Sequence, residues 1–212
     1  MNSFNNLNNR NEKHHYFIGN IFDDENQIRV LRKVSKKLKQ KYNLKDIHWN
    51  NKYFTNMIYL GYLDNKVINL YMEKINPLLE SISKKISSIS CNYNGYKLEF
   101  DKSYYKISLK INDENNVLEK IVTYLYQEAI LPVYNKKQLL KPSIELLYYK
   151  SSQKLKNKND IKIQLPAQEF KINNISLIKG TSIRSRSGTP SLHDQMSLEE
   201  VRKYNYNLEG NI

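Results

Sequence analysis

At 212 residues, 40% hydrophobic and 11% aromatic, the chain is long enough for one sizeable globular domain with tails and too apolar for a disordered one. No run approaches the roughly 20 apolar residues of a membrane span, and the polar start offers no signal core. The single cysteine, Cys91, excludes an internal disulfide and a Cys-based zinc site. An intracellular, cytoplasmic protein of a reducing compartment is expected, with no membrane, no cofactor and no metal.

Residues 1–15 read as a disordered Asn-rich leader, His14 and His15 at its solvated end. Tyr16 to Phe22 is an apolar run suited to a buried strand. Asp23 and Asp24 then offer N-caps to a helix with Ile28, Leu31, Val34, Leu38 and Tyr42 on one face. Its other face carries Arg29, Arg32, Lys33, Lys36, Lys37, Lys39 and Lys41, either a solvated helix face or a strip that tracks phosphates.

After a loop over residues 46–52, a strand runs from Phe54 to the Gly61–Leu63 region. Asp64 caps a second helix through Val67, Ile68, Tyr71 and Ile75, which Pro77 is expected to break or restart. Leu78, Leu79, Ile82 and Ile86 resume the stripe. Asn92 to Gly95 reads as a turn, Tyr96 to Phe100 as a strand, and the alternation of Tyr105, Ile107, Leu109 and Ile111 as another. Val117, Leu118, Ile121, Val122 and Leu125 give a third amphipathic helix. A strand over Ser143–Tyr149 follows, then a lysine-rich loop (154–160) and strands at 161–165 and 170–178.

The predicted order, β-α-β-α-β-β-α-β-β-β, is one α/β domain over residues 16–179, containing two α/β halves. Residues 180–196 read as a flexible Ser/Arg-rich linker. Ser197-Leu198-Glu199-Glu200 has capping-box spacing, so 197–212 is expected to be a short helix or tail. The net charge of +13 points to a polyanion such as RNA, DNA or an acidic surface. The codon bias of an AT-rich genome, which favours Lys, Asn, Ile and Tyr over Ala, gives the same excess.

Two strands carry a resemblance. Phe54-Thr55-Asn56-Met57-Ile58-Tyr59-Leu60-Gly61 and Lys141-Pro142-Ser143-Ile144-Glu145-Leu146-Leu147-Tyr148 have the frames that read His-x-Thr-Leu-x-Phe-Leu-Gly and Pro-His-x-Thr-Leu in the 2H phosphoesterase superfamily. Phe17 to Ile21 resembles that family's opening strand and Phe170 to Leu177 its late strand, while Trp49 stands upstream of the first motif, as an aromatic often does. The resemblance covers most of the chain, Tyr16 to Ile178. It implies a two-lobed α/β (α+β) fold with pseudo-twofold related sheets and flanking helices.

Members include RNA 2',3'-cyclic and 2',5'-oligoadenylate phosphodiesterases. Their two histidines work as general base and acid, and the paired hydroxyls hold the phosphate, a division that needs two imidazoles titrating near neutrality. Here the motif positions are Phe54 and Asn56 on one strand, Ser143 and Glu145 on the other. Phe54 transfers no proton, and Glu145 would set a carboxylate where a phosphate oxygen belongs, repulsive unless protonated or metal-bound.

The leading expectation is therefore a degenerate domain that binds RNA ends or nucleotides without turnover, with Trp49, Tyr53, Asn56, Lys141, Ser143 and Tyr149 as ligand-binding candidates and Phe54 and Tyr148 as further stacking surfaces. A second is a structural or protein-interaction role with a filled cleft, a protein partner taking the C-terminal tail and its Arg184–Pro190 segment. A third is a divergent phosphodiesterase using His48 and Glu145 on cyclic or 2',5'-linked nucleotides.

Overall fold

The computed structural model describes residues 12–101, 104–129, 141–150, 155, 157–182 and 196–207. Their elements run β1 (His14–Ile21), α1 (Glu25–Lys41), β2 (Phe54–Leu63), α2 (Asn65–Lys85), β3 (Ile89–Asp101), β4 (Tyr104–Asp113), α3 (Val117–Ala129), β5 (Ser143–Lys150), β6 (Phe170–Ile172), β7 (Asn174–Ser182) and β8 (Met196–Asn205). The strands form one antiparallel sheet ordered β6-β3-β4-β5-β2-β1-β7-β8. Two four-stranded halves meet where β2 and β5 pair, and that pairing is short: Thr55 opposite Ile144 and Asn56 opposite Ser143.

Local chemistry explains most boundaries. Asp24 caps α1 by accepting from the Gln27 N–H at 2.8 Å, and Asp64 caps α2 by accepting from Val67 N–H at 2.9 Å. Period-two alternation splits the first half into two faces. Tyr16, Ile18 and Leu177 join the main core, while Phe17, Phe54 and Ile178 build a second, smaller cluster with Ile21, Met196 and Leu198. α1 packs on β5, α3 on β2, and α2 on α3, β7 and β8. Gly19 is required by close approach, because a Cβ there would lie 1.9 Å from the Thr55 carbonyl oxygen on β2.

Several expectations are corrected. His14 and His15 do not belong to a solvated leader: they open β1 and are buried. Pro77 lies inside a continuous α2, where Ile75, Leu79 and Ile82 bury on both sides of it and the Tyr204 hydroxyl bonds Asn76. Asn92 to Gly95 lies within β3 rather than in a turn: Asn92 and Tyr93 pair with β4, and Asn94 and Gly95 form a bulge, Gly95 at φ +112°. Ile161, Ile163 and Leu165 do face the core but have no strand ladder, so their alternation marks an irregular cover.

The largest correction is at the end of the chain. Met196–Asn205 is strand β8, not a helix, because the edge of β7 supplies a ladder along the whole segment. Buried Met196 and Leu198 alternate with exposed Ser197 and Glu199, and long-range pairing outweighs the local capping-box pattern. The domain therefore runs past 179 to the end of β8; residues 183–195 of the expected linker lie outside the described residues. No described helix is long and apolar enough to cross a membrane.

Candidate functional site

The two motif strands lie side by side at the seam of the sheet, with Asn56 directly opposite Ser143. Beyond that pair they part. The edge of β5 that β2 leaves is taken by His48, whose backbone N–H donates to the Tyr148 carbonyl at 2.9 Å and whose carbonyl accepts from Tyr148 N–H at 2.8 Å. Phe54, 1% exposed, is buried beside the seam in the small apolar cluster of β1, β7 and β8, its ring edge-on to Phe17 at 5.3 Å.

Glu145 is buried, and its carboxylate is surrounded by donors. Lys106 reaches Oε1 at 3.3 Å and Asn56 reaches it at 3.5 Å, while Asn50 donates to Oε2 at 3.3 Å and the Tyr148 hydroxyl bonds the same oxygen. Lys106 also meets Glu99 at 3.0 Å, and Glu99 meets Lys97 at 2.8 Å, so the charges alternate into the interior. Burial opposes the charge on Lys106, but Glu145 and Glu99 outweigh it and hold its pKa above the ordinary lysine value. Burial likewise acts to raise Glu99, and the two lysines prevail and lower it. Tyr148 stays a donor, its pKa driven up by burial and by the neighbouring carboxylate. The Lys106 ammonium thus gives the buried Glu145 carboxylate a partner of opposite charge.

The segment between α1 and β2 forms a strap over this seam. Asn50 Oδ1 accepts from Met196 N–H at 3.1 Å, and Asn51 Oδ1 accepts from Leu198 N–H at 2.7 Å. The strap therefore joins Glu145 on one half of the sheet to β8 on the other. Phe54, Asn56, Ser143 and Glu145 are all buried beneath or beside it.

An open groove of about 720 Å³ lies next to the strap, between the strap, α1 and β8. Arg32, Lys36 and Lys39 line it from α1, Lys52 from the strap and Lys203 from β8, against Asp23 and Glu200 as the acids. Lys203 pairs with Asp23 at 3.2 Å, and Glu200 accepts from the buried Ser176 hydroxyl at 2.6 Å. Trp49, 46% exposed, and Tyr53 supply aromatic surface. The groove is a concave, predominantly cationic surface with an accessible indole.

No protein-family model matches the sequence, and no curated protein sequence matches it. Solved structures do. The crystal structure of E. coli LigT in apo form aligns with a TM-score of 0.62 at 11% identity, over 92% of this chain and 99% of that one. E. coli LigT complexed with 3'-AMP gives 0.57 at 11%, with the same coverage. TT0787 of Thermus thermophilus gives 0.56 at 14%, over 90% of this chain and 97% of that one. The chain has the LigT-like 2H phosphoesterase fold.

Within the 2H fold, the expected ligand-binding residues separate into four places. Trp49 and Tyr53 line the open groove, Tyr53 with its hydroxyl 3.2 Å from Ser35 Oγ. Asn56 and Ser143 sit in the closed seam, and Lys141 is exposed just before β5. Tyr149 is a correction: it points into the main core, stacks on Tyr105 at 5.4 Å and donates to the Leu155 carbonyl, so no ligand can stack on it. Phe54 and Tyr148 are also fully buried and offer no stacking surface. His48 has its ring 5.7 Å from that of Tyr104, its backbone held by Tyr148.

Lys106 is a site residue that the sequence reading misses, although the alternation of β4 places it with Ser108 on the polar face opposite Ile107 and Leu109. Asn50 and Asn51 carry no readable signal. Lys203 and Glu200 are hidden when their segment is read as a helix.

Proposed function

We propose that this chain binds nucleotides or RNA ends in the groove bounded by α1, the strap and β8, and that it does so without two-imidazole phosphodiester chemistry. The observation that carries this reading is the contrast between adjacent places on one surface. The motif positions are filled by Phe54 and by the Lys106–Glu145 pair, whereas the neighbouring groove is open, cationic and lined by an exposed indole. LigT has been crystallised with 3'-AMP and with ATP, which makes these two compounds reasonable probes.

Trp49 is the chain's single tryptophan, so intrinsic fluorescence reports on the groove directly. Titration with 3'-AMP, ATP and short single-stranded RNA is expected to change that emission. Affinity should fall as salt rises, since released counterions drive the phosphate contacts, and it should weaken in Arg32→Gln/Lys36→Gln. Lack of binding at low salt would sink the reading. Turnover of a 2',3'-cyclic or 2',5'-linked substrate that is lost in Glu145→Gln or His48→Ala would replace it with a divergent phosphodiesterase.

A second reading has an observation of its own. Phe54, at a motif position, is buried against Phe17 in an apolar cluster, as expected of a structural or protein-interaction domain. It predicts a stably folded protein that ignores all three probes at low salt.

A further inference from the structure

We propose that the exposed face of α1 is a second subsite, continuous with the groove, along which the backbone of a single-stranded nucleic acid runs. The inference rests on the groove-binding reading and extends it from a nucleotide to a chain of several. Arg32 and Lys36 line both the groove and the shallow surface beside it, which continues over Arg29, Lys33 and Lys37. The two surfaces meet along Arg32 and Lys36, which border both.

The helix itself argues for a polyanionic partner. Its 17 residues hold seven cations (Arg29, Arg32, Lys33, Lys36, Lys37, Lys39 and Lys41) and one acid, Glu25. Arg29, Lys33 and Lys37 are four apart, as are Arg32 and Lys36, so like charges stand next to one another and weaken the helix. Cations in a helix's last turn are favoured by its dipole, which accounts for Lys39 and Lys41 but not for the five upstream. Among the described residues none of those five forms an ion pair. A bound row of phosphates would neutralise them.

Geometry favours a strand over a membrane or a single nucleotide. At about 1.5 Å per residue, Arg29 to Lys39 extends for about 15 Å, more than one phosphate group can cover. Leu31, Val34 and Leu38 are buried in the core and Ile28 is packed against it, so the exposed face of the helix is cationic and lacks the apolar stripe that inserts into lipid. Trp49 at the groove gives a base a stacking surface that does not depend on sequence.

The test compares 3'-AMP with single-stranded oligonucleotides of increasing length, on the wild type and on Arg29→Gln/Lys33→Gln/Lys37→Gln, whose three positions are exposed and lie outside the groove. Wild-type affinity is expected to rise with length until the strip is covered. In the triple variant, 3'-AMP binding should be retained while the longest oligonucleotide binds at least about tenfold more weakly. Its salt slope should become shallower by about 2, at about 0.7 per lost phosphate contact.

Equal affinity for 3'-AMP and oligonucleotides, or oligonucleotide binding unchanged in the triple variant, would overturn the subsite and leave the groove reading standing. Failure of every probe at low salt would overturn both. Binding of polyglutamate or anionic vesicles that depends on the three cations, without length-dependent nucleic-acid binding, would reassign the strip to those partners and overturn the proposal.

Discussion

Asn50 holds Glu145 with one end of its amide and the backbone of β8 with the other: Nδ2 donates to Glu145 Oε2 at 3.3 Å while Oδ1 accepts from Met196 N–H at 3.1 Å. One short side chain thus couples the two halves of the sheet across the seam. Asn50→Ala removes a bond to a carboxylate and a bond to backbone. The expected loss is about 2 kcal/mol of stability, read by urea unfolding, with faster amide exchange across residues 48–53. Exchange in the strap that matches the wild type would show that Asn51 and the His48–Tyr148 pairing suffice to hold it.

Glu145 and Lys106 are buried partners, and removing one leaves the other exposed to the full cost of burial. Glu145→Gln is expected to destabilise by about 3 kcal/mol. Lys106→Met/Glu145→Gln should lose clearly less than the sum of the two single changes, with a coupling of about 2 kcal/mol in a double-mutant cycle. Additive losses would mean that Tyr148, Asn50 and Asn56 satisfy the carboxylate without the lysine.

Phe54 contributes the burial of a large aromatic side chain. Phe54→Ala should cost about 3–5 kcal/mol through lost transfer energy and the cavity left against Phe17. A loss below about 1 kcal/mol in thermal or urea unfolding would show that the small apolar cluster collapses freely around the missing ring.

His15 makes stability depend on pH in mildly acidic solution. Burial, and then the nearby His14, push its pKa from 6.5 down to about 4, with Nδ1 2.9 Å from the Tyr59 hydroxyl. Above pH 6.5 the ring is neutral in both the folded and the unfolded chain. Below that, the unfolded chain takes up a proton that the folded chain refuses until about pH 4, so stability falls across this window by up to about 3 kcal/mol and levels off beneath it. Carboxylates titrate in the same range, so the measurement is the difference between the wild type and His15→Phe in urea unfolding at pH 7, 6, 5 and 4. The variant should lack this component, and parallel pH profiles would rule it out.

The amphipathic stripes of α1, α2 and α3, the caps at Asp24 and Asp64 and the alternation in β4 are local regularities of an amphiphilic chain, and they could be read from residue order alone. So could the frame of the two motif strands and the absence of an imidazole at Phe54 and Ser143, because a residue's identity does not depend on its surroundings. What could not be read depends on partners distant in sequence. β8 is a strand only because β7 offers an unpaired edge, and Pro77 is tolerated only because α2 is packed on both sides of it. Glu145 is acceptable where a phosphate was expected only because β4 brings Lys106 to within 3.3 Å. The separation of a closed seam from an open cationic groove comes from Asn50 and Asn51 tying the strap to β8, 146 and 147 residues away along the chain. Residue order determined which side chains the motif strands carry. Only the tertiary structure, through long-range hydrogen bonds and burial, decided where an accessible surface remains.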